Sequence, residues 1–418
     1  MLVLPTATYR ATAFLRAAAT LQVECVLASD EAPTLAALME GRVLTIDLGD
    51  PNEAADRAAA FAERRPIDAV VGVDEASVIS AVTIASRLGV ARNPVDAVAA
   101  TRDKRRLRRL LGAASVRQPR WVEVRGDAAG SAAPGASTAV GLPCVVKPVD
   151  LAASRGVIRA DTVAELCAAI GRVDALLRRP GLCPPDDDPP MLVEEFVAGA
   201  EIAVEGLLSH GRLTVLAIFD KPDPLNGPFF AETIYVTPSR HPAAVLDEAI
   251  AITQAATQAL SLRDGPIHAE LRITADGCVF LEVAARSIGG RCSSALRIVA
   301  GDREMSLEEA ILRHALDLPL DQPRLAAGGA GVLMLPVPTT GILRHVSGVD
   351  KAAATPGIVA VELTVPVGMA VEALPEGDRY LGFVIARGSD AEDVEAALRR
   401  AGGLIGVDIE PFREPAPA

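Results

Sequence analysis

Short apolar runs alternate with alanine-rich helical stretches at the start of the chain. Leu2 to Leu4, Glu24 to Ala28, Arg42 to Asp47 and Ile67 to Val73 read as strands, and Glu53 to Arg64 and Glu75 to Leu88 as helices. This alternation predicts a parallel, doubly wound sheet, in which ligands collect at the carboxyl ends of the strands. Asp74 and Glu75 stand at such an end. An acid there contacts a ligand or, more commonly, caps the helix that follows. The first strand, turn and helix carry no glycine fingerprint for a dinucleotide.

Asn93-Pro94 opens a helix expected to run on through TRDKRRLRRLL, whose basic residues read as a solvated face apart from Lys104. Trp121 to Val124 is a strand, and the Gly/Ala/Ser-rich Gly126 to Gly141 reads as a loose connection. Pro143 to Val149 is a buried strand with Lys147 inside it, where an unmatched charge is costly. The small residues of DLAASRGV, Asp150 to Val157, let backbone amides approach phosphate oxygens, although an ordinary turn has the same composition. Asp161 to Leu177 is a helix with a capping pattern ending in Glu165. Gly181 to Pro190 is a surface loop with solvated aspartates. Met191 to Val197, Glu201 to Leu208 and Leu213 to Phe219 are strands. The Pro/Gly-rich stretch after Phe219, holding Lys221 and Glu232, has the length of a functional lid. Ala243 to Leu260 is a long helix. Beyond Ile311 a smaller α+β segment follows, in which Arg344 and His345 read as surface residues, and EPAPA ends the chain as a frayed tail.

The most informative stretch is Pro266 to Gly290, PIHAELRITADGCVFLEVAARSIGG. Asp-Gly between apolar runs signals a β-hairpin. A three-residue loop, Ala275 to Gly277, pairs Thr274 with Cys278 and sets Glu270 opposite Glu282. Directly opposed carboxylates repel. That register calls for a cation between them, most naturally Mg²⁺ shared with substrate phosphates. A two-residue Asp-Gly turn instead pairs Ala275 with Cys278, which sends the carboxylates to opposite faces and leaves two unrelated solvated acids. Arg286 and Gly289-Gly290 follow the second strand, a fixed cation and flexible backbone suited to an anionic intermediate.

Composition narrows the classes. The 418 residues suffice for two or three domains, and a net charge of −13 argues against general nucleic-acid or anionic-membrane binding. Aromatics make up 3%, too few for a base-stacking platform. None of the 6 cysteines forms a CxxC pair, so neither zinc nor a disulfide framework is indicated and a reducing cytoplasm fits. No apolar run spans a bilayer and the start of the chain lacks a signal-peptide layout. Of 41 basic residues only Lys104, Lys147, Lys221 and Lys351 are lysines. Against that arginine background, a lysine marks a place where a compact ammonium is needed or survives by chance.

In order, these features resemble the ATP-grasp superfamily over about residues 1 to 310: TRDK with Lys104, VVKP with Lys147, SRGV, EEFVAGAEIAVEG, HAEL and LEVAAR. The resemblance implies an α/β and α+β multidomain fold, with residues 1–95 a leading doubly wound domain, 96–315 the ATP-grasp domain and 316–418 a C-terminal α+β domain. It gives Lys104 and Lys147 the phosphates of ATP, with Ser154, Arg155 and Gly156 closing over them. Glu194 would accept from the adenine amino group, and the backbone of Glu195, Phe196 and Val197 would read the base. Glu201 would reach the ribose, a strand-face salt bridge being the other reading. Glu270 and Glu282 would hold Mg²⁺ or Mn²⁺. Where many members carry an asparagine ligand this chain has Ala284, and Glu232 is the residue proposed to compensate.

LEVAARSIGG and the later α+β segment resemble the L-amino-acid ligases. That resemblance implies ATP-dependent joining of small-molecule carboxylate and amine substrates through an acyl phosphate. Arg286 would stabilise the oxyanion. Ser287, Ile288, Gly289 and Gly290 would shape an acyl pocket left open at Gly290, with His268, Lys221 and Tyr235 also at the substrates. A ligase or carboxylase of another metabolite, and a non-catalytic ATP sensor, are the competing readings.

Overall fold

The computed structural model describes residues 1–32, 39, 41–126, 129–182 and 188–412. Of the loop after Gly181, residues 183–187 lie outside this set, as does the terminal EPAPA. Strands Leu2–Val3, Leu27–Ser29, Val43–Thr45 and Val71–Gly72 form a parallel sheet in the spatial order third, second, first, fourth. Helices Pro51–Ala62 and Val78–Arg87 cover it, burying Ala54, Ala55, Ala58 and Ile84 against Val3, Ala28 and Ile46. The parallel sheet with helices expected at the start of the chain is present. Val73, Asp74 and Glu75 leave its fourth strand at the carboxyl end.

A four-stranded antiparallel sheet follows, in the order Trp121–Arg125, Pro190–Glu195, Cys144–Pro148, Ile158–Ala160. Two helices cover it. Val163–Leu177 starts on a capping box between Thr162 and Glu165. The other, Ala129–Val140, corrects the expectation of a loose connection over 126–141. Alanine is the best helix former, and Ala133, Ala136 and Val140 repeat at helical spacing and are buried. The glycines and serines between them hid that stripe.

The largest sheet is antiparallel and eight-stranded: Gly277–Ala284, Gly265–Thr274, Ala200–Ser209, Arg212–Lys221, Ile234–Thr237, Gly329–Leu335, Gly382–Gly388 and Ile358–Leu363. It runs without a break from the hairpin into the chain beyond Ile311. Among the described residues no helix is long and apolar enough to cross a membrane.

Two details shape the site. The basic helix is broken in two, Val95–Arg102 and Lys104–Ala113, because Asp103 adopts extended backbone and its carboxylate accepts from the amides of Arg105 (2.8 Å) and Arg106 (3.2 Å). Lys104 is thus the first residue of a helix, not its middle. In the hairpin, Glu270 does face Glu282, but not through a three-residue turn. Thr274 pairs with Gly277, so the turn is one residue shorter, and a β-bulge at Leu281 restores the opposition. The carbonyl of Leu281 accepts from Arg108 Nη2 at 2.8 Å.

Candidate active site

The four-stranded sheet stands over one end of the eight-stranded sheet, and a cavity of about 130 Å³ lies between them. Val145, Lys147 and the loop residues Ala152, Ala153 and Ser154 form its roof, and Glu201, Glu270, Arg272 and Glu282 its floor. Glu195, Phe196 and Val197 line the edge where the sheets meet, and Lys104 enters from its helix start.

The two lysines differ in surroundings. Lys147 is buried with its Nζ 2.6 Å from Glu194, which is gripped on its other side by Arg108 at 2.7 and 3.0 Å. Burial pulls the Lys147 ammonium below its ordinary value, against the opposing pull of Glu194. Burial would raise Glu194, but Arg108 and Lys147 outweigh it and hold the carboxyl at about 2. Glu194 is therefore engaged by two cations instead of standing ready for an adenine amino group. Lys104 Nζ donates to the Leu151 carbonyl at 2.7 Å and joins no ion pair among the described residues. Its charge faces the cavity unmatched.

On the floor Lys221 is buried under three carboxylates, Glu201 at 2.6 Å, Glu270 at 2.9 Å and Glu232 at 3.1 Å. Burial alone would lower this ammonium, yet Glu201 and Glu270 raise it well above the ordinary value. The same partnership holds Glu270 well below the usual carboxylate range despite its burial. The second oxygen of Glu201 accepts from Arg272 Nε at 2.8 Å, so Glu201 forms the strand-face salt bridge and not a free ribose ligand. Tyr235 lies beneath, its hydroxyl donating to Glu232 and its ring 4.8 Å from Lys221 Nζ. Lys221 and Tyr235 end one strand and open the next inside the sheet. The expected lid is thus anchored in the floor at both ends, where both side chains are buried.

Glu282 joins no ion pair among the described residues and faces the cavity beside Glu270. Ala284 offers no donor. No group of three or more His, Cys, Asp or Glu among the described residues converges to hold a metal ion. Two hard oxygen donors beside a cluster of ammonium groups suit Mg²⁺ completed by phosphate oxygens, and do not suit an all-protein cage.

The segment after the hairpin is held from four directions. Arg286 Nε donates to Glu75 at 2.5 Å, and Arg102 reaches the other Glu75 oxygen at 2.9 Å. Arg10 donates to the Ser287 carbonyl at 3.2 Å and to its hydroxyl. Ile288 N donates to the fully buried Glu205 at 3.0 Å, and Gly290 N to the Tyr9 hydroxyl at 2.8 Å, with Gly289 beside it. Ser287 and Ile288 are buried in this packing and do not line the cavity. Nor is the space at Gly290 open. Its φ is +59°, and a Cβ there would stand 2.2 Å from Met334 Cε. The left-handed backbone and the methionine, not a vacant pocket, account for the glycine. His268 is buried 3.5 Å from Glu205 and 3.4 Å from Glu270. Burial opposes its charge, but the two carboxylates raise it to about 9.

Arg155 turns away from the cavity to the Glu376 carbonyl, 3.0 Å distant, while Gly156, at φ +73°, packs on Pro148 where a Cβ would stand 2.6 Å from Cγ. Of the loop residues expected at the phosphates, Ser154 alone lines the cavity. Sequence reasoning also missed Arg108, Arg272 and Glu205, and it placed Glu75 at a strand end as a ligand contact or helix cap where the structure makes it the partner of Arg286 and Arg102. A signal for Arg108 was available: it sits four residues after Lys104 and between Leu107 and Leu111 on the buried face.

Family models now fix the relationship. Residues 140–295 match the ATP-grasp domain and residues 333–410 the L-amino acid ligase C-terminal domain 2. Over residues 140–295 the chain carries an ATP-grasp domain. The ATP-grasp match takes in the roof, the edge where the sheets meet and the hairpin, and the C-terminal match takes in the far strands of the eight-stranded sheet. A solved L-amino acid ligase from Bacillus licheniformis superposes with a TM-score of 0.80 at 22% identity, covering 98% of each chain, so the two share a fold. Dapdiamide A synthase of Enterobacter agglomerans is 29% identical over 175 residues, 41% of this chain and 40% of its own length. A D-alanine–D-alanine ligase of Aromatoleum aromaticum is 32% identical over 190 residues, 45% of this chain and 56% of its own. The chain spans about half the length of the curated relatives it matches.

Proposed function

We propose that this ATP-grasp protein is an ATP-dependent carboxylate–amine ligase that forms an amide bond between amino-acid-type substrates. The observation that carries the reading is the pairing of opposed acids with an ammonium roof: Glu270 and Glu282 on one wall of the cavity, Lys104 and Lys147 on the other. The similar L-amino acid ligase and D-alanine–D-alanine ligase, which act on amino acids by their names, support the substrate class.

In this reading Lys104 and Lys147 neutralise the phosphates of ATP as point charges, with Ser154 and the amides of its loop above them. Glu194 orients Lys147. The base lies along Glu195 to Val197. Phe196 N–H already donates to the Pro143 carbonyl at 3.1 Å, whereas Val197 N–H has no backbone acceptor among the described residues and is the donor left for the ring. Glu270 and Glu282 would hold Mg²⁺, which when bound with the phosphates supplies charge neutralisation at the transferred group. The substrate carboxylate oxygen attacks the γ-phosphorus, the bond to the bridging oxygen breaks, and ADP leaves. The amine nitrogen then attacks the acyl carbon, loses a proton, and phosphate departs. Arg286, oriented by Glu75, donates to the oxyanion that forms in that second step.

Phosphate release tests this. ATP alone gives little, and an acid–amine pair from an amino-acid panel stimulates it; hydroxylamine in place of the amine traps the acyl phosphate as a hydroxamate. Tight ATP binding with no stimulation by any pair and no hydroxamate would establish a non-catalytic sensor instead. Glu282→Gln raises the Mg²⁺ concentration needed for half-maximal turnover, and an unchanged requirement removes Glu282 from the metal.

A further inference from the structure

Residues 372–380 lie in the C-terminal region yet touch both walls of the cavity. Gly156 N donates to the Pro375 carbonyl at 2.8 Å, and Arg155 donates to the Glu376 carbonyl at 3.0 Å with Asp378 3.7 Å away. From the helix Val163–Leu177, Arg172 forks onto Glu376 at 2.7 and 2.9 Å, and just beyond it Arg179 reaches Glu372 at 2.9 and 3.1 Å. At the other end of the segment the Tyr380 hydroxyl accepts from Glu232 N at 3.2 Å. One short piece of chain thus grips the roof and its small-residue loop on one side, and the acid cluster of the floor on the other.

The shape of the segment is built for this. Gly377 N donates to the Ala373 carbonyl at 2.9 Å, and a Cβ at Gly377 would stand 2.0 Å from the Glu372 carbonyl oxygen. Only glycine permits a turn that aims Glu376 at Arg172 on the helix and Glu372 at Arg179 just beyond its end. Exposed ion pairs are individually weak. This set is different in arrangement: three arginines on the roof face three acids on the C-terminal region, and one contact is bidentate. Contacts that join two bodies add little to the stability of either. Their effect falls on the position of one body relative to the other.

Arg155 and Gly156 directly follow Ser154, which lines the cavity above Lys104 and Lys147. We infer that residues 372–380 are a clasp that holds the 152–156 loop over the nucleotide phosphates, with Glu376 as its central positioning residue acting through Arg172. The phosphate role of the loop rests on the ligase reading; the clasp itself does not. Glu376 touches no reacting atom. With the clasp open, the loop no longer covers the transferred phosphoryl group, water reaches it, and ATP is hydrolysed without amide formation.

The test has two arms. In the unliganded full-length protein, hydrogen exchange of residues 152–160 is compared among wild type, Glu376→Arg, Arg172→Glu and the double charge swap. Both single variants exchange faster there and the swap recovers most of the protection, while Tm changes little. Equal exchange in all four proteins overturns the clasp whatever the function. In the second arm, a non-hydrolysable ATP analogue is titrated calorimetrically and phosphate released per amide formed is counted. Each single variant weakens the analogue by about five- to tenfold, in proportion to a few charge-assisted contacts, and raises the phosphate-to-amide ratio; the swap reverses both. Unchanged affinity and ratio in a variant whose loop exchanges faster overturn the positioning role. Failure of the wild type to bind the analogue instead overturns the ligase reading, leaving the exchange arm to decide the clasp.

Discussion

Glu75 and Arg286 meet at 2.5 Å although 211 positions separate them, and the second oxygen of Glu75 holds Arg102 at 2.9 Å. Arg102 ends one helix and Lys104 begins the next. A single carboxylate at the end of the leading sheet therefore joins Arg286 to the end of the helix that precedes Lys104. Burial would raise Glu75, but Arg286 and Arg102 hold it at about 2. Glu75→Gln keeps the shape and removes the charge that fixes the Arg286 guanidinium. Amide formation is expected to fall about 100-fold, the scale of a misplaced catalytic group. Affinity for an ATP analogue stays within about twofold, since Lys104 and Lys147 are untouched. A loss of nucleotide affinity as large as the loss of turnover would show that Glu75 acts on the nucleotide end instead.

Lys221 shows why a lysine persists in an arginine-rich chain. Its three N–H donors meet three carboxylates within 2.6 to 3.1 Å. A compact ammonium can point at three acceptors around it; a planar guanidinium cannot. Lys221→Met leaves Glu201, Glu232 and Glu270 crowded without their shared cation, and costs about 3–5 kcal/mol of folding stability. Lys221→Arg keeps the charge but overfills the site and costs about 1–3 kcal/mol. Urea unfolding of both variants checks the order. An arginine variant as stable as the wild type would mean that charge alone, not geometry, matters there.

The scarcity of lysine was the clearest sequence signal for the site, because it is chemical and needs no three-dimensional arrangement. Three of the four lysines bear on the cavity, and Lys351 sits on the short helix Val349–Ala353 away from it. The opposition of Glu270 and Glu282 was also legible, through a compensation the sequence did not reveal: a shorter turn and a bulge at Leu281 arrive at the same pairing. What could not be read was direction. Glu194 and Arg155 are at the expected place in the chain, yet one points to Arg108 and the other to the C-terminal region. Period and spacing place a Cα; the partner that captures the side chain comes from remote chain. Arg108 was lost for the same reason, since a run of arginines on a helix is solvated until its buried partner is known. The helix over 129–140 was missed because glycine and serine masked an alanine stripe whose worth depends on the sheet it covers.

Acid should weaken the fold in a defined window. Glu75 and Glu194 both fall from the ordinary 4.5 to about 2 in the folded protein. Their folded pKa values are depressed, so their contribution is fully present above about 4.5 and is lost as the pH falls through about 2. Unfolding free energy is expected to be flat in these two groups above pH 5 and to decline steadily below it. Glu194→Gln removes one of the two and lowers the slope between pH 4.5 and 2, while costing stability at pH 7 because Arg108 and Lys147 lose their counterion. Denaturant titrations at half-unit pH steps check this. A variant with the wild-type slope would show that Glu194 is not held in its ionised form by those cations.

Gly290 separates backbone strain from crowding. At φ +59° an alanine pays for the left-handed backbone, about 1 kcal/mol, whatever surrounds it. Its Cβ also falls 2.2 Å from Met334 Cε, in a buried site where the methionine must move. Gly290→Ala is therefore expected to cost about 2–4 kcal/mol, the sum of strain and overpacking. Met334→Ala alone costs about 2–5 kcal/mol by leaving a cavity. In the Met334→Ala background, however, Gly290→Ala should cost only the backbone share, about 1 kcal/mol, because the added methyl enters space the methionine has vacated. The double-mutant cycle, measured by urea unfolding, gives the difference directly. An equal cost in both backgrounds would mean that the overlap with Met334 is relieved elsewhere, and that the backbone conformation alone selects glycine at this position.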